Sequence, residues 1–501
     1  MKVLGDILDG IPRRILAGGL DVRVTGLEYD VRRVRPGTVY FALSGGDQNG
    51  HDRILAAIER GAVAVVCERS VFRPLRVTTI QVSDSRAALL MAGKRFYDFP
   101  DRRLTVIGVT GGEARGRAAV LVRRVLQHAG IETGVVGGIV DEYGDRAIPK
   151  FGLVPESLDV QRLMLGMAGE GCEVCVFEIP PFAGVGRLYG AMGCDVVVIG
   201  HGALERRFGE WAYREQNSCG IDRSWAKGRE ELFELVVYDV DDCTAVAVGR
   251  GLRARKAVTY GGCGGAAVQL QECTWHSSGT RVKVKLPGGC VSAELPLFDR
   301  DDLRGLLGAL GVAVGLGVPL SLLRLSLRSL GPVPGHLEMI NCGQPFRVVV
   351  DGARTVGSLT RVISVLRQSG SGRVLLVFGA GADQGLKERT ELGRVAGLLA
   401  DYVVVTSDNP CHEEPCSIAA EVVGGIRLVR TSGWLVECDR RAAIARALEM
   451  ARRGDTVLIA GKGHITYQKL SGTVVPFDDR VHARESLEHL GYCCAEGCVN
   501  L

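Results

Sequence analysis

The sequence predicts an α/β protein of three successive units, and three observations predict it. At 501 residues the chain is too long for a single hydrophobic core. Residues 104–109, 110–116 and 117–129 read in order as strand, glycine-rich turn and helix, the usual entry to a nucleotide-binding α/β unit. Gly331-Pro332-Val333-Pro334-Gly335 then breaks the pattern before a fresh set of β-branched runs.

The first unit spans 1–100. Apolar β-rich runs at 38–43 and 62–67 alternate with helical segments such as 53–60, and Phe99-Pro100-Asp101 closes it as a turn. The second spans 101–330 and continues through strands at 174–179 and 195–199. The third spans 331–501. Its runs at 346–350, 373–378, 402–406 and 456–459 are apolar along their whole length, as strands of a parallel sheet covered on both faces are.

Composition narrows the class. With 46% apolar and 24% charged residues and 68 glycines, the chain is globular and rich in tight turns. Its net charge of +4 is spread over small arginine patches, so no nucleic-acid partner is expected. The first ten residues lack an apolar signal-peptide core, which makes the cytoplasm the expected location. The 19 uncharged residues 305–323 approach the length of a membrane span, but their glycines and Pro319 fit a buried helix better. The 16 cysteines are scattered and read as core thiols rather than a disulfide framework; those at 493, 494 and 498 sit in the tail.

The order of motifs resembles the Mur ligase family, of the UDP-N-acetylmuramyl-tripeptide synthetase type. In the first unit the resemblance is carried by Asp30-Val31-Arg32, Phe41-Ala42-Leu43-Ser44-Gly45 and Asn49-Gly50-His51-Asp52. In the third it is carried by Thr406-Ser407-Asp408-Asn409-Pro410, Ala460-Gly461-Lys462-Gly463-His464 and Pro476-Phe477-Asp478-Asp479-Arg480. It implies a UDP-binding α/β unit, a central P-loop-type ATPase unit and a C-terminal Rossmann-like unit. It also implies an ATP-dependent ligase of cytoplasmic peptidoglycan precursor synthesis, which adds a diamino acid to UDP-MurNAc-L-Ala-D-Glu with ATP and Mg2+. Contact with other Mur enzymes is an expectation of the same kind.

Carried over residue by residue, the resemblance assigns Ser44, His51, Pro155, Glu156 and Arg187 to the muramyl-peptide substrate. Asp408, Asn409, Gly461 and His464 go to the amino-acid side. Gly108, Thr110, Gly111, Arg115, Asp302, Asp351 and Arg354 go to the nucleotide. Glu178, and Lys227 if carbamylated, go to catalysis and the metal. Without carbamylation, Lys227 reads as an exposed helical lysine paired with Glu230 or Glu231.

The departures from the family pattern are chemical. Walker-type loops use a lysine on the β/γ-phosphates and a hydroxyl on the metal. Here Arg115 and Gly116 stand at those places, Glu113 adds a negative charge, and a planar guanidinium is no equivalent of a compact ammonium. Pro180-Pro181-Phe182 and Leu153-Val154 replace hydroxyl-bearing segments, and Glu205-Arg206 stands where the family has an Asp-His pair. Cys411 replaces the arginine, and Ile465 the glutamate, that receive the distal end of diaminopimelate, so lysine or ornithine becomes the expected amino acid. The same departures sustain the alternative of a catalytically inactive member that binds a nucleotide sugar or cell-wall enzymes.

Overall fold

The computed structural model describes residues 1–44, 49–69, 76–112, 114–144, 146–148, 155–179, 193–202, 233–276, 279–297, 299–368, 370, 372–471 and 473–492. Lys227, Arg187, Glu113, Pro180-Pro181-Phe182, Glu205-Arg206 and the tail cysteines lie outside them.

Three large sheets follow one another along the chain. The first orders its strands Arg14–Ala17, Thr78–Gln81, Ala64–Cys67, Thr38–Phe41 and Gly26–Glu28. Pairing is parallel except at the Arg14–Ala17 edge. The helix Ser85–Phe96, capped by the Asp84 carboxylate on the Ala87 N–H, packs its apolar side into this core.

The second sheet has eleven strands. Thr105–Thr110 lies at its centre, between Val174–Glu178 on one side and Val196–Ile199 on the other, all parallel. The chain therefore reverses its direction of winding at the carboxyl end of Thr105–Thr110, where open α/β sheets form their ligand crevice. The helices Arg115–His128 and Arg300–Gly315 cover one face and Ser157–Gly169 and Cys243–Gly251 the other. An antiparallel extension, Val268–His276, Gly279–Leu286 and Gly289–Leu295, was not anticipated, because its strands are half exposed and carry mixed polarity. The uncharged run 305–323 lies in Arg300–Gly315, the following turn and the start of Leu320–Arg328. Its glycines admit the neighbours: a Cβ at Gly305 would stand 3.2 Å from the Ala118 Cα. Among the described residues no helix is long and apolar enough to cross a membrane.

The third sheet orders Glu338–Ile340, Arg347–Asp351, Thr456–Ala460, Val374–Phe378, Tyr402–Val405 and Trp434–Val436, parallel but for its first strand. Apolar cores fill both faces, as the unbroken β-branched runs predict. One cysteine expectation is corrected here. Cys416 and Cys438 form a disulfide with Cα atoms 6.0 Å apart, because the start of the helix Pro415–Arg427 packs beside the end of Trp434–Val436, a proximity that sequence spacing does not reveal. Cys67, Cys172 and Cys175 are buried free thiols, as expected of core cysteines, and Cys194 is buried with them.

The first and second units meet through charge. Arg162 of the helix Ser157–Gly169 reaches Glu28 at 2.6 Å, Arg33 reaches Asp159 at 3.1 Å, and the Tyr29 hydroxyl also bonds Asp159. Burial holds the Tyr29 phenol neutral far above its ordinary range, with the Asp159 charge adding to the shift.

Candidate active site

The strand Thr105–Thr110 delivers the glycine-rich turn to the carboxyl edge of the middle sheet. Gly111, at φ 154°, brings the turn against the backbone of Gly200 and His201, and the Gly112 N–H donates to the His201 carbonyl at 3.0 Å. Thr110 accepts at its carbonyl from the Gly200 N–H at 2.8 Å. Gly108 lies elsewhere. It is buried inside the strand, where a Cβ would come within 2.7 Å of Ile179 and 3.0 Å of the Cys194 sulfur, so it shapes the sheet and does not face a phosphate.

Arg115 is engaged by the protein's own groups. Its Nε is 2.8 Å from Glu178 Oε1, and its Nη1 donates to the Gly112 carbonyl at 2.9 Å. The other oxygen of Glu178 accepts from the Gly138 N–H at 2.5 Å. Gly116 belongs to this arrangement, since a Cβ there would stand 2.9 Å from Glu178 Oε2. The Mg2+ that the resemblance implies at Glu178 does not fit these residues. One carboxylate oxygen holds a guanidinium and the other a backbone donor, and Gly116 offers no hydroxyl. Among the described residues no group of three or more His, Cys, Asp or Glu side chains is arranged to hold a metal ion.

The acids assigned to the nucleotide are likewise engaged. Asp302 Oδ1 accepts from the Arg117 Nε at 2.6 Å. Asp351 accepts from the Leu337 and Ala353 N–H groups, each at 2.8 Å, and its Oδ2 lies 2.9 Å from His336 Nδ1. Both acids are buried, and the protein's own backbone and His336 engage the Asp351 oxygens. Arg354, expected on a phosphate, pairs with Asp383 at 2.8 Å.

On the first unit the predicted substrate residues do converge. Ser44 Oγ donates to Glu68 Oε2 at 2.6 Å, and Ser85 donates through its hydroxyl to Glu68 Oε1 at 2.7 Å. His51 Nε2 accepts from the Glu68 N–H at 3.0 Å, while Nδ1 lies 3.1 Å from Asn49 Oδ1. That pattern fits a neutral ring with its proton on Nδ1. Burial lowers the His51 pKa in the same direction, against the pull of Glu68. Arg86 ties the cluster to the middle unit, donating to the Ser44 carbonyl at 2.8 Å and to Glu156 Oε1 at 3.2 Å. Pro155 lies next to Glu156, whose carbonyl accepts from the first turn of the helix Ser157–Gly169. Sequence reading missed Glu68, Ser85 and Arg86. The available signal was a carboxylate directly after an apolar strand, followed by an Asp-capped helix.

In the third unit Asp408 and Asn409 follow the strand Tyr402–Val405, and Gly461 to His464 follow Thr456–Ala460. Lys462 joins them. Its ammonium, wholly buried, lies 3.2 Å from Asp408 Oδ1, 3.2 Å from Asn409 Oδ1 and 3.0 Å from the Tyr467 carbonyl. Burial lowers its pKa although Asp408 opposes the shift, and the lysine is a structural tie rather than a solvated charge. Gln468 donates to the Asp408 carbonyl at 2.7 Å, and the buried Arg440 braces the Ser407 and Ala460 carbonyls while pairing with Asp479 at 2.7 Å. Cys411 has φ 54°, and its N–H donates to the Lys469 carbonyl at 3.1 Å. Gly335, at φ 61°, packs so closely on the next loop that a Cβ would lie 1.9 Å from the His464 nitrogen. The linker thus docks directly on the Gly461–His464 turn.

Comparison with known proteins identifies the family and the fold. The family "Mur ligase, glutamate ligase domain" matches residues 335–463, and "Mur ligase family, catalytic domain" matches 23–105. The UDP-N-acetylmuramoyl-L-alanyl-D-glutamate–2,6-diaminopimelate ligase of Caldanaerobacter subterraneus is 32% identical, covering 97% of this chain and 98% of that protein. The ligase of the same name from Solibacter usitatus is 33% identical, covering 98% and 99%. Among solved structures, the MurF ligase of Thermotoga maritima in complex with ADP aligns with a TM-score of 0.61 at 19% identity, covering 94% of this chain and 98% of that one. A folylpolyglutamate synthase from the same organism aligns with a TM-score of 0.58 at 15% identity, covering 75% and 90%.

Proposed function

The chain belongs to the Mur ligase family, and from that premise we propose that it acts as a UDP-N-acetylmuramyl-tripeptide synthetase. On this reading it is an ATP-dependent ligase joining a diamino acid to UDP-MurNAc-L-Ala-D-Glu during peptidoglycan precursor synthesis in the cytoplasm. Its three units are residues 1–100, 101–330 and 331–501.

The observation that carries the reading is full-length likeness to two ligases of that kind at 32% and 33% identity. The cluster of Ser44, His51, Arg86 and Glu156 supports it, since it places the predicted substrate residues at one junction of the first two units. In the reaction, a carboxylate oxygen of the D-glutamyl residue attacks the γ-phosphorus of ATP and ADP leaves. The amine of the incoming amino acid then attacks the acyl carbon, loses a proton and expels phosphate. The middle sheet's carboxyl edge offers the nucleotide a glycine-rich backbone and a helix N-terminus, features that suit an anion. No step is assigned to a metal at Glu178, and a carbamylated Lys227 stays part of the reading through the resemblance alone.

The relatives' names specify 2,6-diaminopimelate. Cys411 and Ile465 offer neither a guanidinium for a second carboxylate nor a carboxylate for a second amine, which favours lysine or ornithine. The test is incubation of the purified chain with UDP-MurNAc-L-Ala-D-Glu, ATP and each amino acid in turn, reading the tripeptide product by mass. No product with any of them, together with retained binding of the UDP-dipeptide, would refute the ligase reading in favour of an inactive sugar-nucleotide-binding member.

A further inference from the structure

His336 ends the linker between the second and third units, and it is buried. Its Nδ1 stands 2.9 Å from Asp351 Oδ2, at the end of the strand Arg347–Asp351 in the third unit. Its Nε2 stands 3.4 Å from Asp302 Oδ2 and 3.7 Å from Asp299 Oδ2, both at the start of the helix Arg300–Gly315 in the second.

The surrounding charges come from every element packed there. Arg117 of the helix Arg115–His128 reaches Asp302 at 2.6 Å and Asp301 at 3.7 Å. Arg361 of the helix Val356–Gln368 crosses from the third unit to Asp301 at 2.6 Å and Asp299 at 3.1 Å. Arg304 adds a contact with Asp301 at 3.4 Å. Beyond His336, Glu338 accepts from the Gly335 N–H at 2.7 Å and lies 3.6 Å from Arg480. Leaving that separate pair aside, Asp299, Asp301, Asp302 and Asp351 face three arginines, so the cluster is one positive charge short.

We propose that His336 is a positioning residue: with one ring nitrogen on Asp351 and the other toward Asp302, it docks the second unit on the third. Nδ1 lies at hydrogen-bond distance from one carboxylate and Nε2 faces two more at 3.4 and 3.7 Å, an environment that favours a proton on each, and the imidazolium supplies the missing charge. The environment sustains that state. Burial opposes it, but Asp302 and Asp351 outweigh burial and push the His336 pKa up to about 9 from 6.5. Because the docked value is the higher one, the contribution is complete below pH 6.5 and is lost as pH rises through about 9. That shift corresponds to a change of roughly 300-fold in the docking equilibrium.

The docking itself does not depend on the ligase reading. The expectation that Asp302 and Asp351 border the adenosine part of ATP does rest on it.

The test is small-angle X-ray scattering of the full chain, with thermal unfolding, across pH 6 to ~10 for wild type, H336Q, H336R and D302N. Wild type is expected to be compact at neutral pH and to expand through about pH 9. H336R, a permanent cation able to reach both acids, should stay compact throughout, and H336Q should be expanded already at pH 7. D302N, which keeps the histidine but weakens the pull on its proton, should lower the midpoint of the wild-type transition by about one pH unit. H336Q as compact and as heat-stable as wild type at pH 7 would overturn the proposal, as would an unmoved midpoint in D302N. In turnover assays, the KM for ATP should rise about tenfold in H336Q with kcat less affected, and H336R should restore it. A wild type that turns over no ATP would sink the ligase reading, while the scattering still decides the role of His336.

Discussion

Replacing Arg115 by Lys together with Gly116 by Thr should lower the KM for ATP about 10- to 100-fold, and the structure shows where that figure comes from. Arg115 and Glu178 are paired at 2.8 Å with only 18% and 12% of their side chains exposed. For Arg115 to serve a phosphate, this contact has to open, separating a largely buried ion pair at a cost of about 1.5–3 kcal/mol, between the values of exposed and fully buried pairs. At about 1.4 kcal/mol per tenfold, that loss is paid in nucleotide affinity. Lysine alone should recover little, because its ammonium can still rest on Glu178. Threonine alone should be harmful: its Cβ would lie 2.9 Å from a Glu178 oxygen that Arg115 and Gly138 hold in place. Together the two changes free the carboxylate to swing and return a hydroxyl to the loop, so their effects should be strongly non-additive. The assay is phosphate release with UDP-MurNAc-L-Ala-D-Glu and an amino acid, alongside calorimetry of ATP binding. A folded double variant with unchanged KM, or threonine alone matching the double, would refute the view that the pinned glutamate limits nucleotide use.

Arg440→Met should cost about 3–5 kcal/mol in denaturant unfolding, because it strands Asp479, which like Arg440 has no exposed side-chain surface. The companion R440M with Asp479→Leu should lose clearly less, and equal losses would contradict the pairing account. Cys411→Arg with Ile465→Glu should shift turnover from lysine toward diaminopimelate, measured as the ratio of phosphate-release rates; an unchanged ratio rules out these positions as the specificity determinants. Cys416→Ser should lower stability under oxidising conditions by about 3 kcal/mol, the loop-closure contribution of a bridge over a separation of 22 residues. A reducing agent should lower the wild-type midpoint at least as far, since Cys342 is disulfide-bonded as well, and a wild type indifferent to reductant would mean that these thiols are free.

The order of units and most of their strands was legible along the chain, since burial on two faces demands unbroken apolar β-branched runs such as 374–378 and 402–405. Ser44, His51 and Glu156, which the resemblance assigns to the substrate, come together through Glu68 and Arg86. Glu68, Ser85 and Arg86 were not legible, because nothing in the chain announces that Glu68 meets Ser44 and Ser85 across 24 and 17 positions, or that Arg86 meets Ser44 and Glu156 across 42 and 70. The antiparallel extension of the middle sheet escaped for a different reason. Strands exposed on one face lack the apolar continuity on which the reading relied.

By itself the sequence determined which charges this protein has to accommodate: arginines at 115 and 117, acids at 299 and 302, and no hydroxyl at 116. Only the tertiary structure decided what those charges do. It turns Arg115 onto Glu178, sets Arg117 on Asp302, and brings His336 between acids of two units. The physical reason is that a buried charge is tolerable only beside its opposite, and which opposite lies within 3 or 4 Å is a property of how sheets and helices pack, not of distance along the chain.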